Sequence, residues 1–229
     1  MKQSPLDILK KYWDHHQFRP LQEDIINSVL EHQDTFVLLP TGGGKSVCYQ
    51  IPGLVLEGIC LVVSPLVALM KDQVQNLNKK GIKAISLDSS LNYNDLDREL
   101  TNCLYGNYKF MYISPERLQS ELVLERLEKL PINFIAVDEA HCISQWGNDF
   151  RPAYKNIQQI RLLLPNIPII ALTGSAKPIV IDDIINNLTL KKTKIFKSTF
   201  RRKNLAYMVF NTEDKYSKLL SILKKNKKS

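Results

Sequence analysis

Five short, continuously apolar runs rich in β-branched residues constrain the fold of this chain most strongly. They occupy residues 35–39, 59–63, 109–113, 132–137 and 167–172. Segments with helical spacing of apolar residues separate them, for example residues 66–77 and 118–130. Unbroken apolar strands that alternate with helices are typical of a parallel sheet covered on both faces. The pattern therefore predicts an α/β fold with a doubly wound, mostly parallel sheet.

Length and composition fit this prediction. The chain has 229 residues, of which 44% are hydrophobic and 24% charged, enough for one well-buried domain plus a short appendage. Its first residues lack the apolar segment of a signal peptide, and no apolar run approaches about 18 residues. We therefore expect a soluble cytoplasmic protein without a membrane partner.

The pattern changes beyond residue 198. Residues 198–210 are predicted to form a linker and one strand, and residues 214–228 one amphipathic helix. One strand and one helix cannot enclose a second core, so we expect a first domain over 1–198 and the opening of a larger, missing domain over 199–229. From Lys191 onward there are 13 Lys and Arg against two acids, a local charge of +11. This basic end favours nucleic acid as a partner, or is a solvated tail.

The four cysteines do not indicate a metal or disulfide framework. They stand at positions 48, 60, 103 and 142, with no C-x-x-C pair and no histidine at zinc-finger spacing. Buried, reduced thiols and no zinc are therefore expected.

The stretch "LPTGGGKS", residues 39–46, predicts a phosphate-binding loop. It lies between the apolar run 35–39 and a segment of helical character. Backbone N–H groups at such a turn converge on an anion, and the helix N-terminus adds a favourable partial charge. Lys45 would reach the β- and γ-phosphates of a nucleotide, and the Ser46 hydroxyl would bind Mg²⁺. The remaining loop residues of the nucleotide site are Thr41, Gly42, Gly43 and Gly44; Leu39 replaces the first glycine of the strict motif.

A second acidic motif follows the run 132–137, where the chain continues with Asp138 and Glu139. Two carboxylates at the carboxyl end of a parallel strand suit the crevice of a doubly wound sheet. Asp138 would hold Mg²⁺, and Glu139 would orient or deprotonate the attacking water. Alone, such a pair is also common at a helix start; beside the glycine loop it predicts hydrolysis of a nucleoside triphosphate.

From "DEAH" onward the chain resembles superfamily 2 helicases, and within them the RecQ family of DNA helicases. The matching segments run in order: "FRPLQEDII" (18–26), "LPTGGGKSVCYQIP" (39–52), "VVSPLVALMKDQV" (62–74), "YISPERL" (112–118), "VDEAHCISQWGNDFRPAY" (137–154) and "ALTGSA" (171–176). The long aromatic-rich stretch after DEAH is the most diagnostic. The resemblance implies a RecA-like ATP-binding domain and a DNA helicase that uses ATP and Mg²⁺.

The resemblance also implies roles for individual residues. His15, Arg19 and Gln22 would contact adenine, and His141 would link the hydrolytic site to the DNA-sensing loop. Thr173 and Ser175 would couple the ATP state to domain movement. The residues expected at DNA or in coupling to it are Ser64, Ser114, Gln145, Trp146, Asn148, Phe150 and Arg151. Without the resemblance, Trp146 and Phe150 could equally be core residues, although Gly147 and its polar neighbours favour a loop.

The chain departs from the family pattern at several positions. His15 replaces an aromatic residue, commonly tyrosine; an imidazole can still stack on adenine. Asn148 replaces a histidine and cannot carry positive charge. "LTGSA" replaces "LTATA", and Arg201 and Lys203 replace an aspartate and a proline.

The resemblance covers only one RecA-like domain, whereas RecQ helicases build the ATP site between two and take an arginine finger from the second. We therefore expect the ATP-binding domain of a RecQ-type 3′-to-5′ helicase that is truncated and unable to unwind DNA alone. Its partner would be single-stranded or partly duplex DNA, and a second polypeptide could supply the other half. The alternative is a nucleotide- and DNA-binding remnant without productive turnover. RNA unwinding is disfavoured by the aromatic-rich loop.

Overall fold

The protein is described by a computed structural model, which covers residues 3–147, 149–199, 205–206 and 208–226. The chain divides into two compact units, residues 1–199 and residues 200–229. The first contains the sheet and every site discussed below. The second contains one described helix.

Seven parallel strands form a single sheet in the order β3-β4-β2-β5-β6-β1-β7. Their bounds are β1 Thr35–Leu38, β2 Ile59–Val63, β3 Ala84–Leu87, β4 Phe110–Ile113, β5 Ile132–Val137, β6 Ile169–Thr173 and β7 Lys194–Lys197. The five apolar runs are β1, β2, β4, β5 and β6, so the predicted parallel α/β sheet is confirmed.

Helices cover both faces of this sheet. They are α1 Pro5–Trp13, α2 Gln22–Leu30, α3 Lys45–Val55, α4 Val67–Lys79, α5 Tyr93–Tyr105, α6 Glu121–Lys129, α7 Ile157–Leu163 and α8 Pro178–Asn187. Successive strand residues point to opposite faces: in β2, Leu61 and Val63 join one core cluster, while Cys60 and Val62 join another. Helices α2, α3 and α4 pack against the second cluster, and α5 to α8 against the first. The sheet is therefore doubly wound.

The sequence prediction missed the two edge strands. β3 and β7 lie at opposite ends of the strand order and are only four residues long. β7 is mostly exposed and has a lysine at each end, so it lacks the apolar run by which the inner strands were predicted. The predicted helix over 118–130 was too long, since a 3₁₀ turn, Pro115–Gln119, precedes α6.

A buried carboxylate joins three segments at the amino end of the sheet. Asp34, directly before β1, accepts hydrogen bonds from Arg161 Nη2 at 2.7 Å, the Ile169 N–H at 2.8 Å and the Lys191 N–H at 2.6 Å. Both side chains of the Asp34–Arg161 ion pair are buried. The pair therefore fixes α7, the start of β6 and the approach to β7 around β1.

In the second unit, the predicted amphipathic helix is α9, Lys215–Lys225, capped by the Asp214 carboxylate, which accepts a hydrogen bond from the Ser217 N–H. The predicted strand is not seen: residues 205–206 and 208–210 have no regular secondary structure. Arg201 and Lys203 lie outside the described residues.

All four cysteines are free and buried, as predicted. The longest helices of the described part have 13 residues, and none of them is long and apolar enough to cross a bilayer.

Candidate nucleotide site

The carboxyl edge of the sheet brings the predicted motifs side by side. Because all strands are parallel, the segments that follow them meet at one edge. In sheet order, from β4 through β2, β5 and β6 to β1, these segments begin with Ser114, Ser64, Asp138, Gly174 and Leu39. Motifs separated by up to 135 residues along the chain, from Leu39 to Gly174, thus become neighbours.

The glycine loop between β1 and α3 has the conformation of a phosphate cradle. Gly42 and Gly44 have φ values of +79° and +80°, a region that glycine adopts without steric cost. The Gly43 N–H donates to the Pro40 carbonyl oxygen at 2.8 Å, which closes the turn. Helix α3 begins at Lys45, so its free N–H groups and positive dipole end face the loop.

The close contact between Gly44 and the Gln22 side chain gives a testable prediction. A Cβ on Gly44 would lie 2.4 Å from Gln22 Nε2, whereas a Cβ on Gly81, at φ +75°, would have nothing within 4 Å. Gly44→Ala and Gly81→Ala should each destabilise the fold by about 1–2 kcal/mol through backbone strain. Only Gly44→Ala should also weaken ATP binding, by about tenfold, because it displaces the Gln22 amide that holds the cradle. Equal ATP affinities of the two variants, measured by titration with a fluorescent ATP analogue, would contradict this role.

The predicted adenine-contacting residues lie at the rim of the same site. The Gln22 amide is buried, donates to the Gly44 carbonyl oxygen at 3.2 Å and accepts from the Arg19 N–H at 2.9 Å. Arg19 Nη1 donates to the Gly42 carbonyl oxygen. Both side chains thus brace the loop from outside. If Gln22 contacts a purine, hydrogen bonds to the purine would replace those it makes here. His15 is exposed and lines the same cavity.

The two carboxylates after β5 have different electrostatic environments. Burial and the neighbouring Glu139 charge raise the pKa of Asp138 to about 6. A hydrogen bond from the His141 ring is the main cause that lowers the pKa of Glu139. Glu139 itself has φ +45°, which turns its side chain toward Lys45, with Nζ 3.9 Å from Oε1. Glu139 is therefore the stronger candidate for a charged base.

His141 connects the carboxylates to the segment after β6. Its Nδ1 lies 2.9 Å from Thr173 Oγ1 and 3.3 Å from Glu139 Oε2. Hydrogen bonds from the ring to the Cys142 sulfur and the Glu139 carboxylate raise the pKa of His141 to about 10, so the ring is cationic at neutral pH. The Thr173 hydroxyl donates in turn to the Ser175 carbonyl oxygen at 3.1 Å. A continuous polar chain thus runs from Lys45 to Ser175.

The glycine loop, the predicted adenine-contacting residues and the two carboxylates border one open cavity of about 970 Å³, of the size that takes a nucleotide. Thr41, Ser46 and Asp138 contribute hydroxyl and carboxylate oxygens to its wall. Asp138 Oδ1 accepts only the Glu139 N–H among the described residues, which leaves oxygen lone pairs directed to the cavity. Hard oxygen donors of this kind suit Mg²⁺, so the residues fit the ion that the motifs imply.

The aromatic loop, residues 144–151, leaves the site on the other side of His141. Trp146 is 67% exposed and Gln145 is exposed, which confirms a loop rather than core. Phe150 is half-buried under the Lys155 ammonium, 5.7 Å from its ring centre. Arg151 donates to the Pro65 carbonyl oxygen at 2.9 Å and so attaches the loop to the segment after β2. Asn148 lies outside the described residues.

Ser64 and Ser114 follow the adjacent strands β2 and β4. Both residues are 2% exposed, and neither hydroxyl has a hydrogen-bond partner in the described part of the chain. A buried hydroxyl without a partner costs free energy. Both residues lie at the carboxyl edge of the sheet, where DNA contacts were predicted for them, and their hydroxyls are buried there.

Sequence reasoning missed Gln73 of α4. It lines the nucleotide cavity and accepts a hydrogen bond from Gln50 Nε2 of α3 at 2.9 Å. Gln50 also donates to the buried Tyr112 hydroxyl at 3.1 Å. The only local signal was a glutamine inside an otherwise amphipathic helix, which does not distinguish a solvated residue from one that lines a site.

The fold and site together define a RecA-like P-loop domain, with its nucleotide cavity at the carboxyl edge of a parallel sheet. The sequence model of the DEAD/DEAH box helicase family matches residues 19–184, and the chain belongs to this family. This span contains the glycine loop, both carboxylates, the aromatic loop and the segment after β6.

Curated relatives confirm the RecQ resemblance. The chain is 44% identical to the probable ATP-dependent DNA helicase RecS of Bacillus subtilis, over 92% of this chain and 42% of that protein. It is 40% identical to the ATP-dependent DNA helicase RecQ of Pasteurella multocida, over 90% of this chain and 33% of that protein. The chain thus spans less than half the length of these two relatives.

A solved structure shows the same fold. The helicase domain of Pyrococcus furiosus Hef aligns with 81% of this chain and 39% of its own, with a TM-score of 0.61 and 21% sequence identity.

Proposed function

We propose that this chain is the ATP-binding domain of a RecQ-type 3′-to-5′ DNA helicase, which couples ATP hydrolysis to movement along single-stranded DNA. The observation that carries the proposal is the polar chain Lys45–Glu139–His141–Thr173, which joins the phosphate cradle to the root of the aromatic loop. A change at the γ-phosphate would alter the contacts of Glu139 and, through them, those of His141. The aromatic loop begins three residues after His141.

On the nucleotide side, the cradle and Lys45 would hold the phosphates, and Ser46 and Asp138 would hold Mg²⁺. Held there, Mg²⁺ would supply positive charge that offsets the charge developing on the β- and γ-phosphates. Glu139, whose lowered pKa keeps it ionised at neutral pH, orients the attacking water and accepts its proton. The His141 cation stabilises that ionised state, because its Nδ1–H donates to the Glu139 carboxylate.

On the DNA side, Trp146 offers a stacking surface for a base, and Arg151 and Lys155 place positive charge beside Phe150. Aromatic rings next to cations suit single strands, since bases stack on the rings and phosphates meet the charges. Ser64 and Ser114 would donate their unpaired hydroxyls to the phosphate backbone. The names of both relatives specify DNA, which favours DNA over RNA as the partner.

We assign unwinding to a larger protein than this chain, because the chain covers 42% and 33% of its two relatives. A second RecA-like domain, in the same or another polypeptide, would supply an arginine finger, worth about 10³–10⁵ in rate. We therefore expect the isolated chain to bind ATP weakly, to hydrolyse it very slowly and to unwind no duplex.

The test is ATP turnover by the chain with and without an unstructured oligothymidylate. DNA should stimulate turnover, and both rates should be far below those of a two-domain helicase. Nucleotide and DNA binding without any DNA-stimulated turnover would overturn the coupling and support the remnant hypothesis.

Trp146→Ala should weaken binding of the same oligonucleotide by about 5- to 150-fold, since stacking of a base on an aromatic ring contributes about 1–3 kcal/mol. Tyr105→Ala is the matched control: Tyr105 is 83% exposed and ends α5, before β4 begins and so away from the carboxyl edge. Fluorescence anisotropy gives both affinities. An equal loss in the two variants would show that Trp146 is not a specific contact.

A further inference from the structure

Two residues just before the aromatic loop and one near its end form a cluster of three side chains that the ATPase mechanism does not use as a unit. The potential ligand atoms of His141, Cys142 and Asp149 all lie within 4.8 Å of one another. We propose that this cluster is a binding site for a thiophilic divalent transition metal ion, with Zn²⁺ as the best fit.

The spacing of the two strongest ligands matches this ion. His141 Nε2 and Cys142 Sγ are 3.8 Å apart. Zinc binds nitrogen at about 2.0–2.1 Å and sulfur at about 2.3 Å, and a tetrahedral angle then separates the two atoms by about 3.5–3.6 Å. A shift of a few tenths of an ångström would bring both atoms into the coordination sphere.

The His141 ring is held in the orientation that metal-binding histidines require. Its other nitrogen, Nδ1, faces Thr173 Oγ1 and the Glu139 carboxylate. A histidine ligand almost always donates its second N–H to such an acceptor, which fixes the tautomer that presents the free nitrogen to the metal. Nε2 therefore faces the Cys142 sulfur before any ion arrives, and a bound ion would replace the proton that Nε2 carries in the cationic ring.

The third ligand supplies access from solvent. Cys142 is fully buried, whereas the Asp149 side chain is 62% exposed and, within the described part of the chain, makes only a 4.0 Å ion pair with Arg151. Little is lost when this carboxylate turns toward a metal. Three protein ligands with water in the fourth position are an arrangement that zinc adopts in proteins.

The donor set separates this site from the ATP-linked one. Thiolate and imidazole select zinc and its neighbours, whereas Mg²⁺ takes hard oxygen ligands such as those of Ser46 and Asp138. The expectation of no zinc rested on cysteine pairs at finger spacing. A site with one cysteine, its neighbouring histidine and an aspartate seven residues later escapes that criterion.

Occupancy would join the two ends of the aromatic loop. Cys142 precedes Trp146 and Asp149 follows it, so a shared ion closes the segment into a ring and displaces the protons that its ligands carry. Resting on the proposed function, this predicts that Zn²⁺ suppresses stimulation of turnover by DNA, because the loop can no longer respond to a strand.

The binding test needs neither nucleotide nor DNA, so it is independent of the helicase proposal. Co²⁺, which reports tetrahedral coordination in the visible and thiolate coordination in the near ultraviolet, is added to the 229-residue chain. We expect both bands to saturate at one equivalent and Zn²⁺ to abolish them. Absence of the bands at one equivalent would overturn the site.

Three variants assign the ligands. Cys142→Ser should remove the near-ultraviolet thiolate band, and Asp149→Asn should weaken Co²⁺ binding by at least about tenfold. Asp149 is exposed, so its variant tests the site without disturbing the core. Cys103→Ser, a buried thiol elsewhere, should bind Co²⁺ as the unaltered chain does. Unchanged bands and affinity in both ligand variants would refute the assignment.

Discussion

A Lys45→Ala variant should lose ATP turnover almost completely, with a fall of about 10²- to 10³-fold or more. The Lys45 side chain is 13% exposed and projects from the first residue of α3 into the cavity, 3.9 Å from Glu139. Removing the ammonium group leaves the β- and γ-phosphates without their positive partner. It also leaves the Glu139 carboxylate with His141 as its remaining cation, so a triphosphate meets more negative charge in the site.

The matched control is Lys79→Ala, which removes an equal charge from the exposed end of α4. Its turnover should stay within about twofold, since an isolated surface charge contributes little. Titration with a fluorescent ATP analogue separates binding from chemistry. Unaltered turnover in Lys45→Ala would refute the phosphate-cradle assignment, and loss in both variants would show that total charge, not position, is responsible.

Asp34→Ala should lower the free energy of unfolding by about 3–5 kcal/mol, the cost of leaving one member of a buried ion pair without its partner. Asp34 accepts three hydrogen bonds, from Arg161 and from the N–H groups of Ile169 and Lys191. The alanine variant leaves the buried Arg161 guanidinium without its carboxylate. It also leaves two backbone N–H groups without this acceptor: that of Ile169 at the start of β6, and that of Lys191 three residues before β7.

Glu31→Ala provides the comparison three residues earlier. Glu31 pairs with Lys194 at 2.6 Å, but the two side chains are 60% and 44% exposed. Loss of such a surface pair costs at most about 1 kcal/mol. Urea midpoints measured by circular dichroism compare the two variants, and equal shifts would show that burial adds nothing to the Asp34 interaction.

The extent to which sequence predicted this fold follows from where each strand lies. β1, β2, β4, β5 and β6 are buried on both faces, and a strand buried on both faces is an almost continuous apolar run. Edge strands carry no such requirement: β7 reads Lys-Ile-Phe-Lys and is mostly exposed. The local apolar pattern therefore predicts the inner strands of the sheet and misses its two edge strands.

The site was predictable for a similar reason. Parallel strands bring their carboxyl ends together, so motifs that follow strands were expected to meet, as Lys45, Glu139 and Thr173 do. Contacts between side chains from elements distant in sequence leave no periodic signal. The bracing of Gly44 by Gln22, the Gln73 contact and the junction at Asp34 are of this kind, and only the folded chain displays them.

The place of β1 in the sheet also governs when the nucleotide site can exist during synthesis. β1 is sandwiched between β6 and β7, with Thr35 opposite Ile170 and Lys194. The end of β6, Thr173, is made 135 residues after the end of β1, Leu38. A ribosome adding about 5–20 residues per second therefore leaves β1 without a neighbouring strand for about 7–27 s. During that interval Arg19 and Gln22 can brace the glycine loop, but the segment after β6 is missing beside it. ATP therefore meets a complete site, and can stabilise the growing polypeptide through it, only after the sixth strand has been made.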